Sequence, residues 1–308
     1  MRVAQLSRKQ KKILCTLGML AVVMVVAWGY TYSKNSGSDQ NGKVGTESAN
    51  EKGSSAEDIT TQEAAKKERV IVENTDYDSI DNTLYGWWFK RNDNHEASGC
   101  QDDFDITEYQ AYYRVPVSEK KMYITFDCGY ENGYTADILD VLKEEGVPAA
   151  FFVTQTFIRD NVELTKRMKE EGHLVCNHTV THPSMPSKSV KEQQEELLTC
   201  ETYMKEATGY EMDLFFRPPR GEYSKRTLQM AKDLGYTTIF WSMAYLDYDV
   251  NNQPAPEHVI EHFAKYYHPG AIPLIHNVSQ ANHDALKTVL QNLKKEGYTF
   301  GTLYDLQS

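Results

Sequence analysis

Four clusters of polar side chains between residues 125 and 276 contain the groups that hydrolytic chemistry requires. Asp127 is the acidic residue of the motif T-F-D-C-G. His178 and His182 are spaced so that both could bind one metal ion. Arg217 opens R-P-P-R-G, and a separate histidine, His276, closes L-I-H. Two histidines and an acid form a common open site for zinc and similar metals. Each residue alone has a structural explanation, but the set in this order predicts a hydrolytic site.

The clusters follow short apolar runs that recur at the interval of a βα unit. Predicted strands are Met122–Phe126, Ala149–Val153, His173–Cys176, Leu214–Phe216, Thr237–Trp241, Ala271–Ile275 and a weak one near Phe300–Leu303. Glycines that suit helix C-caps precede six of the runs, at Gly146, Gly172, Gly209, Gly235, Gly270 and Gly297. The clearest helices are Glu192–Lys205 and Ser224–Leu234. The fold class predicted is α/β, a distorted (β/α) barrel with about seven parallel strands, whose carboxyl ends bring the clusters into one cleft.

The N-terminal region is predicted to anchor the protein in a membrane. Residues 1–12 are basic without an acid, and residues 13–33 contain no charged side chain. A helix of that length spans about 30 Å, which matches a bilayer core, and the basic flank predicts a cytoplasmic N-terminus. A cleaved signal peptide is the alternative, although Ala27-Trp28-Gly29 is a poor cleavage site. Residues 34–69 are polar and are expected to form a disordered linker.

Residues 70–120 fit no βα unit and are expected to pack as an extension on the barrel domain, residues 121–305. The sequence Tyr85-Gly86-Trp87-Trp88-Phe89 favours packing against the barrel, with sugar stacking as the alternative. The formal net charge of −11 argues against nucleic acid as a partner. The cysteine spacing does not indicate a disulfide framework, and Cys176 is expected to be buried at a strand end.

Five motifs together resemble the NodB-homology polysaccharide deacetylases, carbohydrate esterase family 4. They are T-F-D-C-G at 125–129, the H-x3-H pair at 178–182, R-P-P-R-G at 217–221, W-S at 241–242 followed by Asp247, and L-I-H at 274–276. The resemblance covers roughly residues 80–305. Residues 85–89, 125–135 and 216–224 are similar to the delta-lactam-biosynthetic de-N-acetylase branch of spore-forming bacteria.

The resemblance implies a site that hydrolyses an acetamide. Asp127 is expected to be the general base and His276 the general acid, with Arg217 holding the base in place. His178 and His182 are expected to bind a divalent metal, with zinc favoured. Residues expected at the substrate are Tyr130, Arg220, Trp241 and Asp247.

Three positions depart from the family pattern. Cys128 stands where the family usually has a metal-binding aspartate, and is expected to be either a thiolate ligand or a neutral filler that weakens the site. The aspartate that usually orients the acidic histidine aligns with Ala244, which leaves Asp247 as the nearby acid. Arg220 replaces a common tyrosine, and its guanidinium suits a substrate carboxylate.

The predicted function is deacetylation of N-acetylmuramic acid in peptidoglycan, with closure to muramic delta-lactam in spore cortex. Expected partners are glycan strands with peptide-free muramic acid, an amidase that acts earlier, and the membrane through the N-terminal helix. The catalytic domain is expected outside the cytoplasm, in the forespore intermembrane space if the sporulation interpretation holds. Two alternatives stay open, a deacetylase of N-acetylglucosamine in peptidoglycan or chitin-like glycan, and a catalytically weak glycan-binding pseudoenzyme.

Overall fold

The structure is a computed structural model that describes residues 69, 71–101 and 103–307. The predicted anchor at 13–33 and the linker up to residue 68 lie outside the described residues. Within the described part of the chain, no helix is both long and apolar enough to cross a membrane.

The described residues form thirteen short strands and seven α-helices. The strands are β1 Tyr85–Gly86, β2 Phe89–Lys90, β3 Gly99–Cys100, β4 Ala111–Tyr112, β5 Lys121–Met122, β6 Ile124–Cys128, β7 Ala149–Val153, β8 Leu174–Asn177, β9 Asp213–Phe216, β10 Glu222–Tyr223, β11 Thr237–Ile239, β12 Leu274–His276 and β13 Thr299–Phe300. The helices are α1 Thr135–Glu144, α2 Gln155–Asp160, α3 Val162–Glu170, α4 Val190–Thr208, α5 Lys225–Asp233, α6 Pro256–Tyr266 and α7 Gln280–Lys295.

Seven of the strands form one parallel sheet in the order β12-β6-β7-β8-β9-β11-β4. Single bridges join Arg114, just after the edge strand β4, and Met243, after its neighbour β11, to Ala271 and Pro273, which precede the other edge strand β12, so the two ends of the sheet approach each other. The sheet therefore curves into the distorted barrel that the sequence predicts. Because all seven strands run the same way, their carboxyl ends share one face.

The predicted number of strands is confirmed, but one predicted member is wrong. Residues near Phe300–Leu303 contribute β13, which pairs with β5 in a separate two-stranded sheet. The seventh barrel strand is β4, which belongs to the extension and pairs in parallel with β11. A strand of two residues leaves no recognisable apolar run in the sequence. Backbone bonds hold it in place, from Thr238 N–H to Gln110 O (2.9 Å) and from Phe240 N–H to Tyr112 O (2.7 Å).

Local sequence signals explain where the helices begin and end. Ser189 caps α4, accepting from the Glu192 N–H while the Glu192 side chain accepts from the Ser189 N–H. The same helix ends at Gly209, whose φ of 85° lies in the left-handed region that glycine adopts without a steric penalty. All six glycines predicted to follow helices have positive φ.

The alternation of side chains along β6 divides the core from the cleft. Ile124, Phe126 and Cys128 belong to the apolar cluster that also contains side chains of the surrounding helices. Thr125 and Asp127 point to the opposite face, because successive residues of a strand face opposite sides.

The extension fixes one wall of the barrel through its aromatic residues. The Trp87 ring stacks on Phe240, with 4.3 Å between centroids, and its indole N–H donates to Trp241 O (3.0 Å). A Cβ at Gly221 would approach the Trp241 ring to 2.8 Å and Trp87 Cβ to 3.2 Å. Trp241 is thus held between the extension and the turn at 219–221, while the neighbouring Trp88 is half exposed.

Candidate active site

The carboxylate of Asp127 lies at the end of β6 and is paired with a buried arginine. Arg217 Nη1 donates to Asp127 Oδ1 (2.7 Å), and Arg217 has no exposed surface. Burial opposes ionisation of Asp127, but the adjacent guanidinium outweighs it and lowers the pKa of the carboxyl below its ordinary value. Asp127 is therefore a carboxylate at neutral pH.

Arg217 itself is fixed by the barrel. Its guanidinium donates to Thr125 Oγ1 (2.9 Å), Ile239 O (3.1 Å) and Phe240 O (3.3 Å) and lies over the Phe152 ring at 4.2 Å. These contacts leave one guanidinium edge for the carboxylate. The predicted contact between Arg217 and Asp127 is present.

The two predicted metal-binding histidines lie on the turn that follows β8, with ring centroids 4.9 Å apart. His178 Nδ1–H donates to Arg217 O (2.8 Å), and Nε2 lies 3.5 Å from Asp127 Oδ2. Burial lowers the pKa of His178 to about 4, so its Nε2 carries a lone pair at neutral pH. Burial also lowers the pKa of His182.

The backbone of the turn that carries these two rings is strained. Thr179 has φ of 73° and His182 has φ of 56°, both in the left-handed region that side chains with a Cβ rarely adopt. Hydrogen bonds to side chains stabilise this strained backbone. The Thr179 N–H donates to Asn177 Oδ1 (2.9 Å), and Glu196 Oε2 accepts from two N–H groups of the turn (2.8 Å each).

The donor set fits a divalent metal in part. Both imidazoles are neutral, and a carbonyl on His178 Nδ1 orients Nε2 as in known metal ligands. Cys128 packs in the helix-facing core with no exposed surface, and burial raises the pKa of its thiol well above the ordinary value. Because the Cys128 side chain faces the core and does not line the cleft, the structure favours the neutral filler over the thiolate ligand. Among the described residues, no three or more His, Cys, Asp or Glu side chains are arranged to hold a metal ion.

His276 lies beside Asp127, because β12 and β6 are neighbours and these two residues are paired in register. Its Nδ1–H donates to Asp247 Oδ1 (2.7 Å), and its backbone N–H donates to Asp247 Oδ2 (2.8 Å). Burial disfavours the imidazolium, but the Asp247 charge and hydrogen bond outweigh it and raise the pKa of His276. A carboxylate therefore lies beside an imidazole whose protonated form is favoured by Asp247.

Asp247 was predicted at the substrate, and the structure places it behind the acidic histidine. It is 1% exposed and accepts from Asn282 Nδ2 (2.7 Å) as well as from His276. It thus makes the contact for which the family pattern has an acid at the position of Ala244. The sequence indicates Asp247 as the nearby acid in place of Ala244, and the structure gives Asp247 this contact.

A cleft of about 800 Å³ opens over these groups. Three predicted substrate residues line it, namely Tyr130, Arg220 and Trp241. Arg220 is exposed and has φ of 60° within the turn Pro219–Gly221. Sequence reasoning missed Thr154, Tyr248 and Asn277, which also line the cleft; the last two lie one residue beyond predicted site residues.

Comparison with known proteins agrees with this geometry. A family model described as polysaccharide deacetylase matches residues 114–239. A peptidoglycan N-acetylmuramic acid deacetylase, PdaA of Bacillus subtilis, is 43% identical over 231 residues, which is 74% of this chain and 88% of the relative. A peptidoglycan N-acetylglucosamine deacetylase of Bacillus cereus is 32% identical over 63% of this chain and 91% of the relative.

The same fold is present in solved structures. The structure of Bacillus subtilis PdaA, a family 4 carbohydrate esterase, superposes with a TM-score of 0.72 at 42% identity, over 74% of this chain and 98% of that one. The chain therefore belongs to the NodB-homology polysaccharide deacetylases, carbohydrate esterase family 4. It is a hydrolase that acts on an amide bond, and its similarity to PdaA supports that branch of the family.

Proposed function

We propose that this protein removes the acetyl group from N-acetylmuramic acid in peptidoglycan and forms muramic delta-lactam. The observation that carries the proposal is the adjacent pair of Asp127, bonded to Arg217, and His276, bonded to Asp247, at the floor of the cleft; these partners favour the carboxylate and the imidazolium, respectively. Chemically, a base that is charged and an acid that is protonated at the same pH can both act in one turnover. The identity to PdaA supports the muramic substrate.

In the proposed reaction, Asp127 takes a proton from a water that attacks the acetamide carbonyl. Arg217 keeps the carboxylate ionised and aimed at the cleft. His276 then gives its Nε2 proton to the departing nitrogen, so that the products are acetate and a free amine, and Asp247 stabilises the imidazolium before transfer. The backbone N–H of Arg220 is suited to stabilise the developing oxyanion.

His178 and His182 are the residues that would hold a divalent metal, with zinc favoured by the imidazole pair. When bound, a divalent metal supplies positive charge that polarises the acetamide carbonyl. The proposed metal site would rest on these two side chains, since Cys128 faces the core.

Metal retention should depend on the histidines and be independent of the cysteine. We expect His178→Asn to lose divalent metal after dialysis, because it removes one of two imidazole donors, whereas Cys128→Ser should retain as much as wild type. Elemental analysis of the dialysed proteins measures this. Metal loss in Cys128→Ser would instead show that the Cys128 thiolate is a metal ligand.

Arg220 supports a preference for muramic acid. Muramic acid differs from glucosamine by a lactyl carboxylate, and a guanidinium binds a carboxylate through two parallel hydrogen bonds. Arg220 lines the cleft, where it could meet that group. Deacetylation exposes an amine next to the carbon that bears the lactyl ether, and this proximity lowers the entropic barrier to ring closure.

Product analysis tests the proposed function. Peptide-free peptidoglycan, prepared with an amidase, should yield muramic units that have lost the acetyl group and then one water, as measured by mass spectrometry. Intact peptidoglycan should show neither change, because the stem peptide occupies the lactyl carboxyl. Deacetylation of glucosamine units with muramic acid untouched would replace the proposal with an N-acetylglucosamine deacetylase, the activity of the Bacillus cereus relative.

The proposed arrangement in the cell follows from the N-terminal sequence. Residues 13–33 would anchor the chain in the cell membrane, residues 34–69 would act as a tether, and residues 70–305 would stand outside the cytoplasm. The glycan strand and an earlier-acting amidase would then share that compartment, the forespore intermembrane space if the protein acts in sporulation.

A further inference from the structure

A second cavity, of about 600 Å³, lies next to the segment that forms one wall of the cleft. Trp241 and Tyr248 face the cleft, whereas Tyr245, Leu246 and residues 252–254 line the second cavity. One continuous piece of chain, residues 241–254, therefore borders both. Leu246 is 76% exposed and Tyr248 is 59% exposed, so this shared wall presents apolar surface to whatever passes from one cavity to the other.

Contacts within the described residues fix the shared wall. Gln253 Nε2 donates to Asp247 O (2.7 Å) and to Asp249 O (2.8 Å), and Tyr245 OH donates to Asn282 Oδ1 (2.6 Å). The guanidinium of Arg91 donates to the Ala244 carbonyl. The two cavities are thus held at a set spacing, which a rigid polymer could match.

The second cavity is electropositive around one aromatic ring. Arg91 lies 5.7 Å from the centre of the Tyr266 ring and Lys265 lies 5.3 Å from it. Among the described residues, neither cation forms an ion pair. Glu261 also lines this second cavity, and it is exposed. Two unpaired cations beside one ring repel each other, and an anion between them would relieve that repulsion.

Polar groups for sugar hydroxyls are also present. Asn252 and Gln253 line the cavity beside His258 and His262. His262 is 7% exposed, and its Nε2 has no hydrogen-bond partner among the described residues. The volume lies within the range of sites for small organic ligands. Amphipathic rings with a cation and hydrogen-bonding side chains suit an acidic saccharide.

We propose that this second cavity is a distal subsite that binds an acidic saccharide of the same glycan strand whose acetamide lies in the cleft. Its carboxylate is received by Arg91 and Lys265, and its ring packs on Tyr266. The proposal rests on the proposed function, because a muramic unit without its stem peptide supplies a free lactyl carboxylate. The strand crosses the shared wall at Leu246 and Tyr248.

Chain length separates the two cavities experimentally. The substrates are peptide-free glycan from amidase-treated peptidoglycan, prepared as disaccharides and as long strands. In the full chain, Arg91→Gln and Lys265→Gln should each raise KM for long strands about two- to fivefold, as expected for exposed charge contacts, and Lys265→Gln, which leaves the contacts of the shared wall intact, should not change KM for disaccharides. Glu261→Gln should lower KM for long strands, because it removes the repelling carboxylate.

A matched charge change elsewhere serves as the control. Lys191 on α4 is 84% exposed, and Lys191→Gln should leave both KM values unchanged. An equal effect of Lys265→Gln on both substrates, or a rise in KM with Glu261→Gln, would overturn the subsite.

Binding separates this proposal from the proposed function. Co-sedimentation of the full chain with insoluble peptide-free peptidoglycan should weaken with Arg91→Gln and Lys265→Gln and strengthen with Glu261→Gln. If wild type releases no acetate from muramic units, the proposed function fails, and this assay still decides the subsite. Unchanged co-sedimentation in all three variants would refute it.

Discussion

Asp127→Asn is expected to lower acetate release by about 10²–10⁴-fold, the usual cost of losing a general base. The amide is isosteric with the carboxylate and can still accept from Arg217 Nη1, but it cannot take a proton from water. Acetate release from peptide-free peptidoglycan measures the effect. Wild-type turnover in a folded variant would show that another group is the base.

Stability must be measured beside activity, because the variant leaves a buried cation without its counter-ion. Breaking a buried ion pair costs about 3–5 kcal/mol when no acceptor is left, and the retained amide oxygen should keep the loss below that. We therefore expect a lower Tm with unchanged circular dichroism at the assay temperature. Asp160→Asn makes the same chemical change at an exposed surface pair and should alter neither property.

The barrel and the catalytic groups were predictable because both depend on local patterns. Six of the seven strands of the sheet overlap predicted runs, and their polar ends identify Asp127, His178, Arg217 and His276. Parallel strands place those ends at one face whatever the details of packing. The strand β4 was missed because it is two residues long and is defined by backbone partners distant in sequence.

The roles of residues whose function depends on the direction of the side chain could not be predicted from motif spacing. Cys128 is adjacent to Asp127 in sequence, yet alternation along β6 turns it into the core. The sequence indicates Asp247 as the acid nearest the expected position, but its placement behind His276 and not at the substrate depends on the conformation of its loop. Tyr248 lines the cleft because of the same loop, and no periodicity marks it.

Substitution of Asp247, the carboxylate that orients His276, is expected to have the second large effect on activity. In Asp247→Asn, the imidazole of His276 loses the charge that raises its pKa, so less of the acid form is present at a given pH. The alkaline limb of kcat/KM should therefore move to lower pH, and activity above neutrality should fall by about 10²-fold or more. Asp249→Asn, on the same loop but bonded to the Asn251 N–H, is the matched control and should not shift the limb.

The same pKa shift predicts how stability depends on pH. A histidine whose pKa is raised in the folded state stabilises the fold most at pH below its unfolded pKa, about 6.5, and that contribution disappears as pH rises through the folded pKa. Wild type should therefore lose part of its thermal stability as pH rises through this window. Asp247→Asn should lack that slope, because the pKa of His276 is no longer raised. A merely structural Asp247 predicts instead an equal loss of Tm at every pH and an alkaline limb that stays in place, so a joint measurement of the Tm profile and the kcat/KM profile decides between the two roles.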